Sequence, residues 1–191
     1  MPVDANLMAI LSAGTGGAAN ILARKFSGFA SANGLLIVNF ALMTLLLLPA
    51  APFFFKFEFT QQAIVIFLFA AMMDAAANLA YFKAFEKLPA VIASLILAVS
   101  PVVTLVFQPV LSPGTKIDGL MIFGIFLASG GLMLLARSRN GNGSAGTYKR
   151  QHLIWPALAA GLFGLNIYPI RYLLQEDITN PYTYYLLRAP V

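Results

Sequence analysis

"AGTGGAANILAR", residues 13–24, and "AGLFGLNIYPIR", residues 160–171, decide how this chain reads. A forward shift of 147 positions lays the first on the second, matching Ala13, Gly14, Gly17 and Arg24 to Ala160, Gly161, Gly164 and Arg171. Further along, Asn33 falls on Asn180 under the same shift. The glycine-rich run is not a phosphate loop, because no strand precedes it. It is not a secretory signal either: Asp4 stands where a signal carries Lys or Arg, and more apolar runs follow.

Composition identifies the solvent. The 191 residues are 60% hydrophobic and 10% charged, where an ordinary soluble domain carries about 25% charged residues. A compact globule of this size cannot hide so much apolar surface, so the expected partner is the lipid bilayer. The net charge of +5 comes from Lys and Arg at the ends of apolar runs, which argues against a nucleic-acid partner. With no cysteine and one histidine, His152, the chain offers neither disulfides nor a thiol nucleophile, and no cofactor or structural zinc is expected.

A membrane-spanning helix takes roughly 20 apolar residues. Six runs meet that length: 7–26, 34–54, 62–83, 90–111, 117–136 and 153–174. A seventh opens at Tyr182 and is cut off at Val191, so the chain reads as part of a longer protein. The linkers are short, except for the polar, glycine-rich and basic 138–152. The expected organisation is a five-helix unit at 1–137, a flexible hinge at 138–152 and the start of a second unit at 153–191. Because the first unit has an odd number of spans, its repeat enters from the opposite face. That makes an inverted-topology repeat within an all-α, polytopic membrane bundle.

The stretch 78–104, "NLAYFKAFEKLPAVIASLILAVSPVVT", and the glycine-punctuated 119–135, "GLMIFGIFLASGGLMLL", resemble the EamA-type branch of the drug/metabolite transporter superfamily. The resemblance implies a ten-helix, two-repeat carrier in the cell membrane, of which about six and a half helices are present. The family's arginine near the start of each unit's second helix is matched by Arg188, while Ala41 holds the corresponding place in the first unit. The family's Gly-Glu pair between helices four and five is replaced by "SPGTK" at 112–116. Lys and Arg counting puts loops one, three and five in the cytoplasm, whereas the resemblance implies the reverse orientation.

Polar residues at membrane depth are costly, so each needs a reason. Asp74, Asn78 and Tyr81 fall at i, i+4 and i+7, on one face of the third span. Asp74 is the only acid deep inside a span; it reads as a carboxylate for a cationic group or a coupling proton, or else as a structural group. In the fourth span Ser94, Pro101 and Gln108 recur every seven residues, with Thr104 beside them. Pro101 removes one backbone hydrogen bond and predicts a kink. Asn20 in the first span and Asn166 in the sixth complete the candidate substrate-binding set of Asn20, Asp74, Asn78, Tyr81, Ser94, Thr104 and Asn166, expected to converge on one cavity. The glycines of the first span and the Gly124, Ala128, Gly131 stripe of the fifth read as helix-packing positions. Trp155 and the tyrosines of 182–185 read as interfacial aromatics.

Three classes of function meet these features to different degrees. A carrier of small metabolites accounts for the odd-span repeat, the polar stripes and the intramembrane acid. An intramembrane enzyme would need a second catalytic group near Asp74. A non-transporting subunit assembled through small-residue stripes would have no use for Asp74, Asn78 and Ser94.

Overall fold

The computed structural model describes residues 5–111 and 149–188, with isolated helical positions between 119 and 131. Most of the fifth run, including the position Ala128 in its small-residue stripe, and most of the 138–152 linker lie outside the described residues.

Helix α1 runs Ala5–Phe26. Ser31 opens α2, Ala32–Leu47, by accepting the Gly34 N–H on its side chain, a standard way of satisfying an orphan donor of the first turn. Pro49 and Pro52 then carry the chain through a 3₁₀ turn, Leu48–Ala50, into the short α3, Ala51–Phe54. Both prolines sit in first turns, where a missing N–H costs nothing. Thr60 caps α4, Gln61–Lys87, through the Ala63 N–H. This helix stops at Leu88, which is extended at φ −127° and ψ 152°, as expected for a residue preceding proline.

The fourth run is a broken span. Helix α5, Ala90–Leu97, and α6, Ser100–Leu111, meet at a turn over Ala98 and Val99. Pro101 has no N–H to offer the Leu97 carbonyl, so the helical ladder is interrupted where the sequence predicts a kink. A 3₁₀ turn, Arg150–Leu153, leads into α7, Ile154–Gln175, and Asn180 caps α8, Pro181–Leu187, through the Thr183 N–H. Among the described residues, four stretches are long and apolar enough to cross a membrane: Ala32–Phe54, Gln61–Lys87, Ala90–Leu111 and Gln151–Gln175. Large apolar side chains such as Leu46, Phe53, Phe69 and Phe126 face outward, as they do when lipid is the solvent.

Helix α4 is central and packs most extensively on α7. Ala63, Ala70, Ala77 and Ala84 recur every seven residues along α4 and are fully buried. Small side chains at that period form a straight seam and let two backbones approach closely, the packing that lipid-embedded helices rely on. Ala159, Ala160 and Gly164 on α7 are buried as well. Gly164 rests against α6 so tightly that a Cβ would lie 2.7 Å from both the Ser100 carbonyl oxygen and Val103 Cβ. A Cβ on Gly14, Gly17 or Gly161 would meet nothing within 4 Å, so the packing expected of the first-span glycines is absent among the described residues.

At one end of the bundle the α3–α4 linker clasps the α7–α8 linker. Lys56 donates its N–H to Thr183 Oγ1 at 2.8 Å, Thr179 Oγ1 donates to the Lys56 carbonyl at 3.0 Å, and Asn180 Nδ2 donates to the Phe54 carbonyl at 2.8 Å. Phe57 and Thr179 form an isolated antiparallel bridge, and Lys56 pairs with Asp177. Asp177 turns the chain at φ 56°, a left-handed conformation that aspartate tolerates better than most residues.

Candidate functional site

Asp74 lies midway along α4, and Arg188 stands at the C-cap of α8. Arg188 Nη1 donates to Asp74 Oδ2 at 2.7 Å, with side-chain exposures of 11% and 6%. The acid thus meets a cation supplied by the protein itself, 114 residues away in sequence. Its guanidinium lies over the Tyr185 ring at 4.4 Å and the Phe40 ring at 5.6 Å, and Nη2 reaches Met43 Sδ at 3.3 Å. Aromatic faces and a polarizable sulfur are good neighbours for a partly dehydrated guanidinium. A lone charge at this depth would be prohibitive; a close pair neutralises it.

Beside the pair lies a cavity of about 300 Å³. Its polar wall is Asp74, Asn78, Asn166 and Arg188; its apolar wall is Phe163, Ile167 and Ile170, with Tyr185 at one side. Asn78 Nδ2 donates to the Asp74 carbonyl at 2.8 Å, which fixes the amide against its own helix. Asn166 is 1% exposed, yet neither its Nδ2 nor its Oδ1 has a hydrogen-bond partner, and the same holds for the Tyr184 hydroxyl and Arg188 Nε. Tyr184 is close enough to the Asn166 amide to feel it, without reaching hydrogen-bond geometry. A buried polar atom left unpaired costs about 1–3 kcal/mol, and three of these four atoms belong to two residues of the cavity wall, Asn166 and Arg188.

The remaining sequence candidates lie elsewhere. Tyr81 donates its hydroxyl to Asn20 Oδ1 at 2.7 Å, and Asn20 Nδ2 donates to Ser94 Oγ at 3.2 Å. This closed network joins α1, α4 and α5. Phe163 links it to the cavity, since its ring meets Tyr81 edge-on at 6.4 Å while it also lines the apolar wall. Thr104 Oγ1 donates to the Gly164 carbonyl at 2.9 Å, and the Tyr168 hydroxyl donates to the Thr104 carbonyl, tying α6 to α7. The structure therefore gathers Asp74, Asn78 and Asn166 around the cavity, joins Asn20, Tyr81 and Ser94 to one another, and sets Thr104 at the α6–α7 seam.

Two residues of the cavity wall, Arg188 and Tyr185, lie outside the sequence candidates, as does Tyr184, whose ring packs on Tyr185 at 5.6 Å. Arg188 carried a usable signal, because an acid at membrane depth calls for a cation. The tyrosines of 182–185 do not form a simple interfacial belt: Tyr184 is 1% exposed, and the Tyr182 hydroxyl donates to the Leu47 carbonyl. Trp155 lies under the Lys83 ammonium at 4.4 Å. Arg24 is held by the Phe85 carbonyl, to which its Nη1 donates at 2.6 Å.

The profile of the EamA-like transporter family matches residues 4–137 of the 191. The chain belongs to that family. Its helices are those of a polytopic membrane bundle, as the sequence predicts, and its environment is the bilayer. No curated protein and no solved structure matches the chain. Within the EamA-like segment lie Asn20, Asp74, Asn78, Tyr81, Ser94 and Thr104, whereas Asn166 and Arg188 come from beyond it. The cavity is thus assembled from both sides of that boundary.

Proposed function

We propose that the chain acts as a secondary carrier that moves small polar or amphipathic metabolites across the cell membrane, with the Asp74–Arg188 cavity as its binding station. The observation that carries this reading is the buried pair of opposite charges beside unpaired polar atoms, on the wall of a cavity within a member of a transporter family. Pockets that bind small molecules share this make-up, largely apolar walls with a few convergent polar groups.

The 147-residue repeat supports a two-unit organisation, 1–137 and 153–191 joined by 138–152, in which the units enter from opposite faces. The break between α5 and α6 supports it too, since interrupted helices at membrane depth occur beside protein or a cavity and flank the binding sites of many carriers. In this reading Asp74, Asn78 and Asn166 touch the cargo. Asn20, Tyr81, Ser94 and Thr104 hold the helices that form the cavity.

The test is flux. Proteoliposomes containing the chain, preloaded with an isotopically labelled extract of small metabolites, should release a defined subset faster than protein-free vesicles, as read by mass spectrometry. Replacing both charged residues, Asp74→Leu with Arg188→Met, should abolish that release. Equal release from protein-containing and empty vesicles would favour a non-transporting membrane subunit.

A further inference from the structure

Charge divides unequally between the two ends of the bundle. Among the described residues, the end at the C-terminus of α4 carries Arg24 and Lys25 of α1, Lys83 and Lys87 of α4, and Lys149 and Arg150 before α7, against one acid, Glu86. The opposite end carries Lys56 and Arg171 against Glu58, Glu176 and Asp177. The three basic segments meet at one place: Arg24 reaches Phe85, and Leu153 and Trp155 pack on the same apolar cluster as Phe85 and Leu88.

Some of these cations are already engaged. Pro89 has no N–H for the Phe85 carbonyl, and Arg24 Nη1 and Ser27 Oγ donate to it instead, at 2.6 and 3.1 Å. Lys87 pairs with Glu86, whose second oxygen accepts the Ala32 N–H at 3.3 Å. Among the described residues, no carboxylate lies within ion-pair distance of Lys25, Lys83 or Lys149. The Lys83 ammonium is held over the Trp155 ring at 4.4 Å, a contact that positions the charge without neutralising it. Depth fits a membrane ligand. The 27 residues of α4 span about 40 Å and have Asp74 at their middle, so in a hydrocarbon layer about 30 Å thick Lys83 and Lys87 reach the headgroup level. Phe26, Phe29 and Ile154 are exposed on the same rim. A soluble anion could use only the cations there; a lipid anion uses the cations and the apolar rim together.

We infer that this end of the bundle binds anionic phospholipid, its headgroup on Lys25, Lys83 and Lys149 and its acyl chains along Phe26, Phe29 and Ile154. The assignment is independent of the carrier reading, since this lipid stays in its leaflet. Each Lys or Arg beside an anionic membrane surface strengthens association about fivefold.

Trp155 is the chain's only tryptophan, and its place under Lys83 makes its fluorescence a local reporter. The chain is reconstituted in phosphatidylcholine vesicles containing graded fractions of phosphatidylglycerol or phosphatidylcholine whose acyl chains are brominated close to the headgroup. Contact quenching of Trp155 then gives the relative affinity of the two lipids. Phosphatidylglycerol should bind at least tenfold more strongly. Combining Lys25→Gln, Lys83→Gln and Lys149→Gln should bring the two lipids within about twofold, whereas Lys56→Gln with Arg171→Gln, at the opposite end, should change nothing. Raising salt from about 50 to about 500 mM should cut the wild-type preference to within about threefold by screening, a reading that needs no variant to fold. Inorganic phosphate, at ionic strength matched with chloride, should leave the preference intact. Lipids within twofold in the wild type, or a preference that survives the triple change or high salt, overturns the assignment. Loss of preference in the opposite-end variant overturns it as well, and loss on adding phosphate would make the site one for a soluble anion instead.

Discussion

The polar face of α4 carries two clusters about 10 Å apart along the helix axis, and they differ in one respect. At Tyr81 every polar side chain finds a partner: the phenol on Asn20, and Asn20 in turn on Ser94. At Asp74 the charges are paired, but the Asn166 amide and Arg188 Nε are left over, and both residues line a cavity. In sequence, the two are alike, a polar residue among apolar ones on one helical face. On the proposed reading, polarity at membrane depth marks a binding site where hydrogen bonding is left incomplete, and a seam between helices where it is closed.

The largest effect that could break this contrast is on the charge pair. Arg188→Ala leaves Asp74 as a buried, unpaired charge and should destabilise the protein by about 3–5 kcal/mol, read as a fall in the midpoint of thermal unfolding in nanodiscs. The double change Asp74→Leu with Arg188→Met removes both charges, and it should restore the midpoint to near wild type while ligand binding stays lost. A double variant as unstable as Arg188→Ala would mean that the pair is structural glue and no more.

Gly164→Ala comes next. The new methyl would press on Ser100 and Val103 of α6, and overpacking of this kind costs about 1–3 kcal/mol. Gly161→Ala, one turn earlier on α7 and with nothing within 4 Å, should be neutral or gain up to about 1 kcal/mol from helix propensity. Parallel unfolding of the two variants checks the difference.

At the closed cluster, Tyr81→Phe removes one satisfied hydrogen bond and should cost about 0.5–1.5 kcal/mol without changing the ranking of ligands. A change in ranking would move Tyr81 into the binding site. The smallest effect belongs to the clasp: Lys56 and Asp177 are 43% and 79% exposed, solvent screens them, and Lys56→Ala should cost no more than about 1 kcal/mol, less in high salt.

The bundle was legible in the sequence because apolar runs of spanning length depend only on local composition; the helices over Ala32–Phe54, Gln61–Lys87, Ala90–Leu111 and Gln151–Gln175 follow the predicted runs closely. The interruption near Pro101 was legible for the same local reason. Asp74, Asn78 and Asn166 could be singled out, since polar groups in apolar runs stand out individually. Their grouping could not: α4 presents one polar face, but α7 and α8 cover its middle while α1 and α5 cover its end, and that division depends on long-range packing. The Asp74–Arg188 pair is such a case, joining residues 114 positions apart through the docking of α8. The alanine seam at Ala63, Ala70, Ala77 and Ala84 was legible as a seven-residue period, but it is hidden in a helix that is apolar on every side. The glycines misled in the other direction, since Gly17 and its repeat counterpart Gly164 share a sequence position but not a packing environment.

Accessibility from water tests the contrast between the two clusters most directly. The chain has no cysteine, so single cysteines introduced at Asn78, Ile170 and Ser94 each report alone. Each variant, reconstituted in liposomes, is exposed to a small, charged methanethiosulfonate. Asn78→Cys and Ile170→Cys, on the cavity wall, should react, while Ser94→Cys, inside the closed network, should react at least tenfold more slowly. Fast labelling at Ser94 with none at Asn78 or Ile170 would place the pathway at the other cluster and contradict the account.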